Sequence, residues 1–242
     1  MKAMIFAAGL GTRLKPVTEK IPKAMVEVGG VPMIERVIQN LKTTGVTDII
    51  INLHHYPEMI VDFVRREKNF GINIHYSDES NELLETGGGL MKAARFFEDG
   101  KPFFVHNTDV LTNLNLREML NFHRNKNPLA TLFVQQRKTS RYLEFNQSML
   151  LCGWKNTKTG EHINVKGCTE RTDFAFNGIH IIDPKIFELI DQSGKFSIIP
   201  AYLDLAKGYP IIGYQDDHAS FIDIGKPENL KAAERQIRNS DN

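Results

Sequence analysis

Four short apolar runs, each ending in glycine or polar residues, alternate with stretches of helical spacing from residue 2 to residue 109, and this alternation constrains the fold most. The runs are KAMIFAAG (2–9), VTDIIINLH (46–54), INIHYSD (72–78) and PFFVHNTD (102–109). Between them, PMIERVIQNLKTTG (32–45) and PEMIVDFVRREKNFG (57–71) place apolar residues at helical intervals and stop at Gly45 and Gly71. Strand–helix alternation predicts an α/β, Rossmann-like fold: a mostly parallel central sheet with helices on both faces. After about residue 128 the pattern changes. LATLFVQQ, RYLEFN, MLLCGW and DFAFNGIHII follow closely with turn signals between them, which predicts added antiparallel strands. KPENLKAAERQIRNSDN reads as a polar terminal helix.

With 242 residues and no linker, repeat or low-complexity segment, a single domain spanning 1–242 is the expectation. A formal net charge of +1 gives no electrostatic case for a nucleic-acid partner. No apolar run reaches membrane-span length, and MKAMIFAAGLG turns too soon for a secretory signal. A cytoplasmic protein is expected. Cys152 and Cys168 stand in no metal-ligand spacing and are expected to be reduced, unremarkable thiols. His54 and His55 in LHHYP lack the partners of a zinc site and read as part of a loop rim.

The stretch FAAGLGTRLKP (6–16) follows the first strand, at the edge where open α/β sheets bind ligands. It is not a dinucleotide fingerprint, because Leu14 occupies the third glycine position and INLHH ends the second strand without an acid. Nor is it a P-loop, since G-T-R replaces G-K-[ST]. Two readings stay open: a phosphate-cradling turn backed by Arg13 and Lys23, or a tight turn with solvated cations. Two acids at strand ends favour the first. Asp109 in HNTDV and Asp223 in SFIDIGKPENL each follow apolar residues. Alone, either could be a cap. Together they suit Mg²⁺, which takes one or two carboxylates and fills its other positions with water and phosphate oxygens.

AAGLGTRLKPVTEKIPKAMVEVGGVPMIE (7–35) resembles the signature of the sugar-1-phosphate nucleotidyltransferases, the NDP-sugar pyrophosphorylases, and the likeness continues through ETGGGL, NTDV, FNGIHII and FIDIG. The family implies a GT-A type fold, an NTP and a sugar 1-phosphate as partners, Mg²⁺ as cofactor, and a monomer or homodimer. LETGGGL (84–90) is most similar to the uridylyltransferases that act on N-acetylmuramate 1-phosphate, with UTP as the expected nucleotide. The short mannose- and heptose-1-phosphate guanylyltransferases come next. By position the resemblance assigns Ala8, Gly9, Gly11, Thr12 and Arg13 to the NTP, with Arg13 on the β/γ-phosphates, and Lys23 to the α-phosphate or sugar phosphate. Glu79 and a Thr86–Gly87–Gly88 turn would read the base, Asn177 would contact the sugar, and Asp109 and Asp223 would form the metal pair. The family's Glu-Lys-Pro sugar segment is absent; NVKGCTE leaves only Lys166, and TSRYLEF replaces a Gly-x-Gly. The role of the segment from Thr139 to Thr169 is therefore open.

Such a reaction needs no general base. A phosphate monoester's second pKa is about 6, so the nucleophile is already dianionic near neutrality, and the chain offers no convincing Ser/His or His/Asp arrangement. A related glycosyltransferase would show D-x-D, where this chain has Asp109-Val110-Leu111. A phosphocholine cytidylyltransferase would need aromatic walls, for which Trp154, Tyr142 and Phe176 are candidates better explained by core packing. A non-catalytic nucleotide-sugar sensor would not require both cations and both acids. His106 is expected to be a buried, hydrogen-bonded histidine.

Overall fold

The computed structural model describes residues 1 to 240 except Lys166 and Thr169, with side chains described to residue 237. Its first elements are β1 (Lys2–Phe6), the hairpin β2 (Glu27–Val28) and β3 (Val31–Pro32), α1 (Met33–Thr43), β4 (Asp48–Leu53), α2 (Pro57–Arg66) and β5 (Asn73–Asp78). Next come α3 (Glu85–Lys92), β6 (Phe103–Asn107), β7 (Val110–Thr112), α4 (Leu116–Lys126), β8 (Ala130–Gln135) and β9 (Arg141–Phe145). The chain continues with β10 (Leu151–Asn156), β11 (His162–Asn164), β12 (Thr172–Ile182), α5 (Ile186–Leu189) and α6 (Ile198–Leu205), and closes with β13 (Ile211–Gln215), β14 (Phe221–Asp223) and α7 (Pro227–Ser240). The result is the expected mixed α/β fold, packed as two compact units that are each discontinuous in sequence.

The first unit comprises Met1–Leu84, His106–Asn113 and Ser220–Asn242. Here β4 lies between β1 and β5, with all three strands parallel. Ile49, Ile50 and Ile51 of β4 are buried, as a strand covered on its faces requires. α1 buries Met33, Ile34, Val37, Ile38 and Leu41, and α2 buries Ile60, Phe63 and Val64, matching the helical spacing in the sequence. A second sheet pairs β7 with β14 antiparallel, placing Asp223 opposite Val110. An apolar cluster of Leu14, Val26, Val28, Met33, Ile224 and Ala233 packs beside Leu111, Ile222 and Leu230. It thereby anchors the chain just after the glycine loop through Leu14, just after Asp109 through Leu111, and on both sides of Asp223 through Ile222 and Ile224.

The second unit comprises Glu85–Val105 and Leu114–Ala219, and holds the antiparallel strands expected after residue 128. β11 pairs with β10, β10 with β9, and β9 with the start of β12. The rest of β12 pairs with β8, which also carries β13 in parallel. The β12–β8 register shifts between Phe176 and His180, a bulge at Asn177 with Gly178 at φ 73°.

Two expectations are corrected here. Thr86–Gly88 is not a turn but the first turn of α3, in spite of three successive glycines. The reason is close packing: a Cβ on Gly87 would overlap the Phe196 ring, and the Gly87 and Gly88 N–H groups donate to the Phe196 carbonyl at 2.8 and 3.2 Å. Cys152 and Cys168 are not free thiols but form a disulfide. β10 and β11 fold back on each other with Gly153 opposite Asn164, and Val165 N–H donates to the Cys152 carbonyl at 2.8 Å. That reversal brings together two cysteines 16 residues apart, which linear spacing does not reveal.

Candidate functional site

The carboxyl ends of β1, β4 and β5 present three turns on one edge of the first unit. The turn after β1 carries the glycine loop. Gly11 adopts φ 63°, a left-handed conformation that side chains resist, and a Cβ there would lie 2.8 Å from Thr18 Cγ2. Thr18 Oγ1 donates to the Gly11 carbonyl at 2.8 Å, and Leu14 N–H donates to the same oxygen at 2.8 Å. Leu14 is buried in the apolar cluster, so its neighbours Thr12 and Arg13 are pushed outward and exposed. A Cβ on Gly9 would meet nothing within 4 Å, which leaves its backbone open to a ligand.

Asp109 lies in the turn between β6 and β7, two residues past the end of β6. Thr108 ties that turn to β1: its N–H and hydroxyl both donate to the Phe6 carbonyl, at 3.2 and 2.9 Å. Ile224 N–H donates to the Asp109 carbonyl at 2.9 Å, bringing the β14 end alongside. Lys23, largely buried, forms a short ion pair with the Asp109 carboxylate. Asp223 Oδ1 accepts from Gly225 N–H at 2.8 Å, while its carbonyl accepts from Asn229 Nδ2 at 2.6 Å. The predicted residues meet around Gly225. A Cβ there would lie 2.7 Å from Asp223 Oδ1, 2.8 Å from Arg13 Nη2 and 3.1 Å from Lys23 Nζ. One point is therefore faced by Arg13, Asp223 and the lysine that holds Asp109.

This donor set fits a hard divalent cation. Two carboxylates and no soft ligand suit Mg²⁺ completed by water and phosphate oxygens. Among the described residues no group of three or more His, Cys, Asp or Glu side chains gathers as a metal site. Arg13, Lys23 and the open backbone at Gly9 can neutralise a polyanion beside such an ion.

Glu79, Asn52 and the His54–Tyr56 turn complete this edge. Glu79 is 1% exposed: Oε1 accepts from Asn52 Nδ2 at 2.8 Å, and Oε2 accepts from Leu84 N–H at 3.1 Å. Asn52 Oδ1 accepts from Ala7 and Ala8 N–H at 2.7 and 3.3 Å. His54 Nδ1 donates to the Glu79 carbonyl at 2.7 Å, His55 Nε2 to the Thr18 carbonyl at 3.3 Å, and the Tyr56 hydroxyl to the Glu19 carbonyl at 2.8 Å. The two histidines thus brace the loops, as a rim role requires. Asn52 was not singled out from sequence; its one signal is an amide inside the run IIINL. His106 is buried, its Nδ1 donates to the Asn107 carbonyl at 2.8 Å, and burial holds its pKa down to about 4, so the ring is neutral.

The remaining predicted residues belong to the second unit. Asn177 is 1% exposed at the β12 bulge, donating from Nδ2 to Gln135 Oε1 at 2.9 Å and accepting from Arg137 Nε at 2.8 Å. Arg137 is a cation beside this asparagine that the sequence reading passed over. Thr86 Oγ1 accepts from Ile198 N–H at 3.0 Å at the start of α6. Tyr142 accepts from Thr139 N–H at 3.0 Å, and Phe176 packs edge-on against His180 at 4.7 Å, so both have partners within the fold. Lys166 lies outside the described residues.

Fold and edge together define a mixed α/β protein with a glycine loop, two cations and two carboxylates at strand ends. The chain belongs to the nucleotidyl transferase family, whose model matches residues 2–240. It is 30% identical over 237 residues to a mannose-1-phosphate guanyltransferase of Yarrowia lipolytica and 41% identical over 243 residues to that of Saccharomyces cerevisiae. Both alignments cover 95% of this chain, which spans only 62% and 63% of those relatives' lengths. Among solved structures it is similar to HddC from Yersinia pseudotuberculosis complexed with GMP-PN, with a TM-score of 0.78, 26% identity, and 98% and 99% of the two chains covered. The two curated relatives carry the name of the alternative, mannose-1-phosphate guanyltransferase, and not that of an N-acetylmuramate 1-phosphate uridylyltransferase. No helix among the described residues is long and apolar enough to cross a membrane.

Proposed function

We propose that this protein transfers a nucleotidyl group from an NTP to a sugar 1-phosphate, releasing pyrophosphate, with GTP and a mannose-type 1-phosphate as the leading pair. The observation that carries this reading is the meeting of Arg13, Asp223 and the Lys23–Asp109 pair around Gly225, beside the open backbone at Gly9. The base and sugar rest on likeness to the fungal guanyltransferases. UTP with N-acetylmuramate 1-phosphate is the second reading, favoured by the LETGGGL segment.

In this account the sugar phosphate attacks the α-phosphorus as a dianion, and the site's work is to bring two polyanions together and hold charge on the leaving pyrophosphate. Arg13 and the Gly9–Thr12 backbone bind the β- and γ-phosphates. Lys23 exchanges its hold on Asp109 for the α-phosphate or the incoming sugar phosphate. Mg²⁺, held by Asp109 and Asp223, supplies further neutralisation of the phosphates when bound. By the family resemblance alone, Asn177 would contact the sugar and Thr86, Gly87 and Gly88 the base. NTPs are metabolites of the cytoplasm, where the enzyme would act as a monomer or homodimer.

The test is pyrophosphate release from purified protein with Mg²⁺, across four NTPs and a panel of mannose, glucose and N-acetylmuramate 1-phosphates plus phosphocholine. Release that requires both GTP and mannose 1-phosphate is expected. Preference for UTP with N-acetylmuramate 1-phosphate would favour the second reading, and nucleotide binding without turnover by any pair would leave a sensor and refute the enzyme.

A further inference from the structure

Asn52 and Glu79 join the turn after β1 to the turn after β5 through two buried side chains. Both are nearly inaccessible, at 2% and 1% exposure. The amide of Asn52 works in both directions. Its oxygen holds the Ala7 and Ala8 N–H groups where the chain leaves β1, and its nitrogen donates to Glu79, whose other oxygen holds Leu84 N–H. The Ala8 N–H is thus engaged from within, so the first backbone able to turn outward to an anion is that of Gly9, around which space is open. A buried polar pair of this kind is costly unless fully satisfied, and satisfied it fixes one arrangement. Apolar residues in their place would leave the Ala7, Ala8 and Leu84 N–H groups without these acceptors.

We infer that Asn52 and Glu79 act as a positioning relay, setting the entry of the glycine loop and the Glu79–Leu84 segment as one body and thereby governing NTP binding. Glu79 then acts through the backbone it holds rather than by touching the base. The inference rests on the proposed NTP reading and deepens it.

The hydrogen-bond directions give a test that simple loss of packing cannot imitate. Asn52→Asp keeps the acceptor for Ala7 and Ala8 but sets two carboxylates side by side, one of which must hold a proton to restore the donor. Glu79→Gln leaves one carbonyl oxygen for two donors. In the double exchange, the introduced carboxylate accepts from the introduced amide, whose oxygen accepts from Leu84, and every direction is satisfied again.

The measurements are KM for GTP and UTP and KM for mannose and N-acetylmuramate 1-phosphates, with thermal melts of each variant. Each single exchange is expected to raise the NTP KM on the order of 10-fold or more, with the sugar-phosphate KM little changed. The Asn52→Asp defect should shrink as pH falls, and the double exchange should return the NTP KM to near the wild-type value. If the single variants do not fold, a folded double variant with near wild-type KM still supports the relay. The relay is overturned if the double exchange is no better than the poorer single variant or does not fold, if either single exchange leaves the NTP KM unchanged, or if the loss falls only on melting temperature. A wild-type protein that turns over no NTP refutes the functional reading instead.

Discussion

Gly225→Ala separates folding from function. Gly225 lies outside the left-handed region, so alanine meets no backbone penalty there. The new methyl would sit 2.7 Å from Asp223 Oδ1, 2.8 Å from Arg13 Nη2 and 3.1 Å from Lys23 Nζ. All three are ends of side chains, but Asp223 Oδ1 also accepts from Gly225 N–H and Lys23 holds Asp109, so moving them aside should cost about 1–3 kcal/mol. For a chain of this size that is a fall of roughly 2–12 °C in melting temperature, well short of unfolding at assay temperature. On the proposed function there is no such escape, because Arg13 and Lys23 would bind phosphate and Asp223 the metal ion beside it. Displacing one electrostatic donor typically costs on the order of 10²–10³ in turnover, or about 2.7–4 kcal/mol of transition-state stabilisation. The assay is pyrophosphate release at saturating NTP and sugar phosphate, beside a thermal melt. Near wild-type turnover in the folded variant would refute the reasoning, since it would mean the cluster around Gly225 does not hold the reacting phosphates.

Two further outcomes concern stability. Burial holds His106 and His123 neutral, with pKa values near 4 against 6.5 for a free imidazole. The unfolded chain takes up those protons first, so stability should fall as pH drops from about 6.5 toward 4, by up to about 3 kcal/mol per histidine. Urea titrations across that range check it, and a pH-independent midpoint would contradict it. Reduction of the Cys152–Cys168 bond, which closes a loop of 16 residues, should cost about 3 kcal/mol by the chain-entropy argument. Melts with and without a dithiol reductant, with Cys168→Ser as control, measure the loss, and equal melting temperatures would refute it.

The parallel part of the fold was legible because β4 carries a run of three isoleucines that must be covered and α1 and α2 must be apolar on one side. Local pattern and burial agree there. The start of α3 was expected as a turn, and the approach of the Phe196 ring, which requires glycine at position 87, is a non-local contact. The disulfide was missed because its partners meet through the β10–β11 reversal, a non-local event. Asp109, Asp223, Arg13 and Lys23 were legible as charged residues flanking apolar strands or glycines. That Arg13, Lys23 and Asp223 face Gly225, with Asp109 paired to Lys23, was not, since it depends on β14 pairing with β7 across more than a hundred residues. Asn52 marks the limit: a buried amide inside an isoleucine run shows that something polar must be satisfied, but not what.

The central claim is that Asp109 and Asp223 bind one divalent ion together with a nucleoside triphosphate beside the glycine loop. The most direct measurement is Mn²⁺ titration by electron paramagnetic resonance with GTP present, using wild-type protein and the Asp109→Asn and Asp223→Asn variants. The account predicts one protein-bound Mn²⁺ per chain in the ternary complex, weakened sharply by either substitution while the variants stay folded. Affinity for the Mn²⁺–GTP complex that is unchanged by either substitution would contradict it.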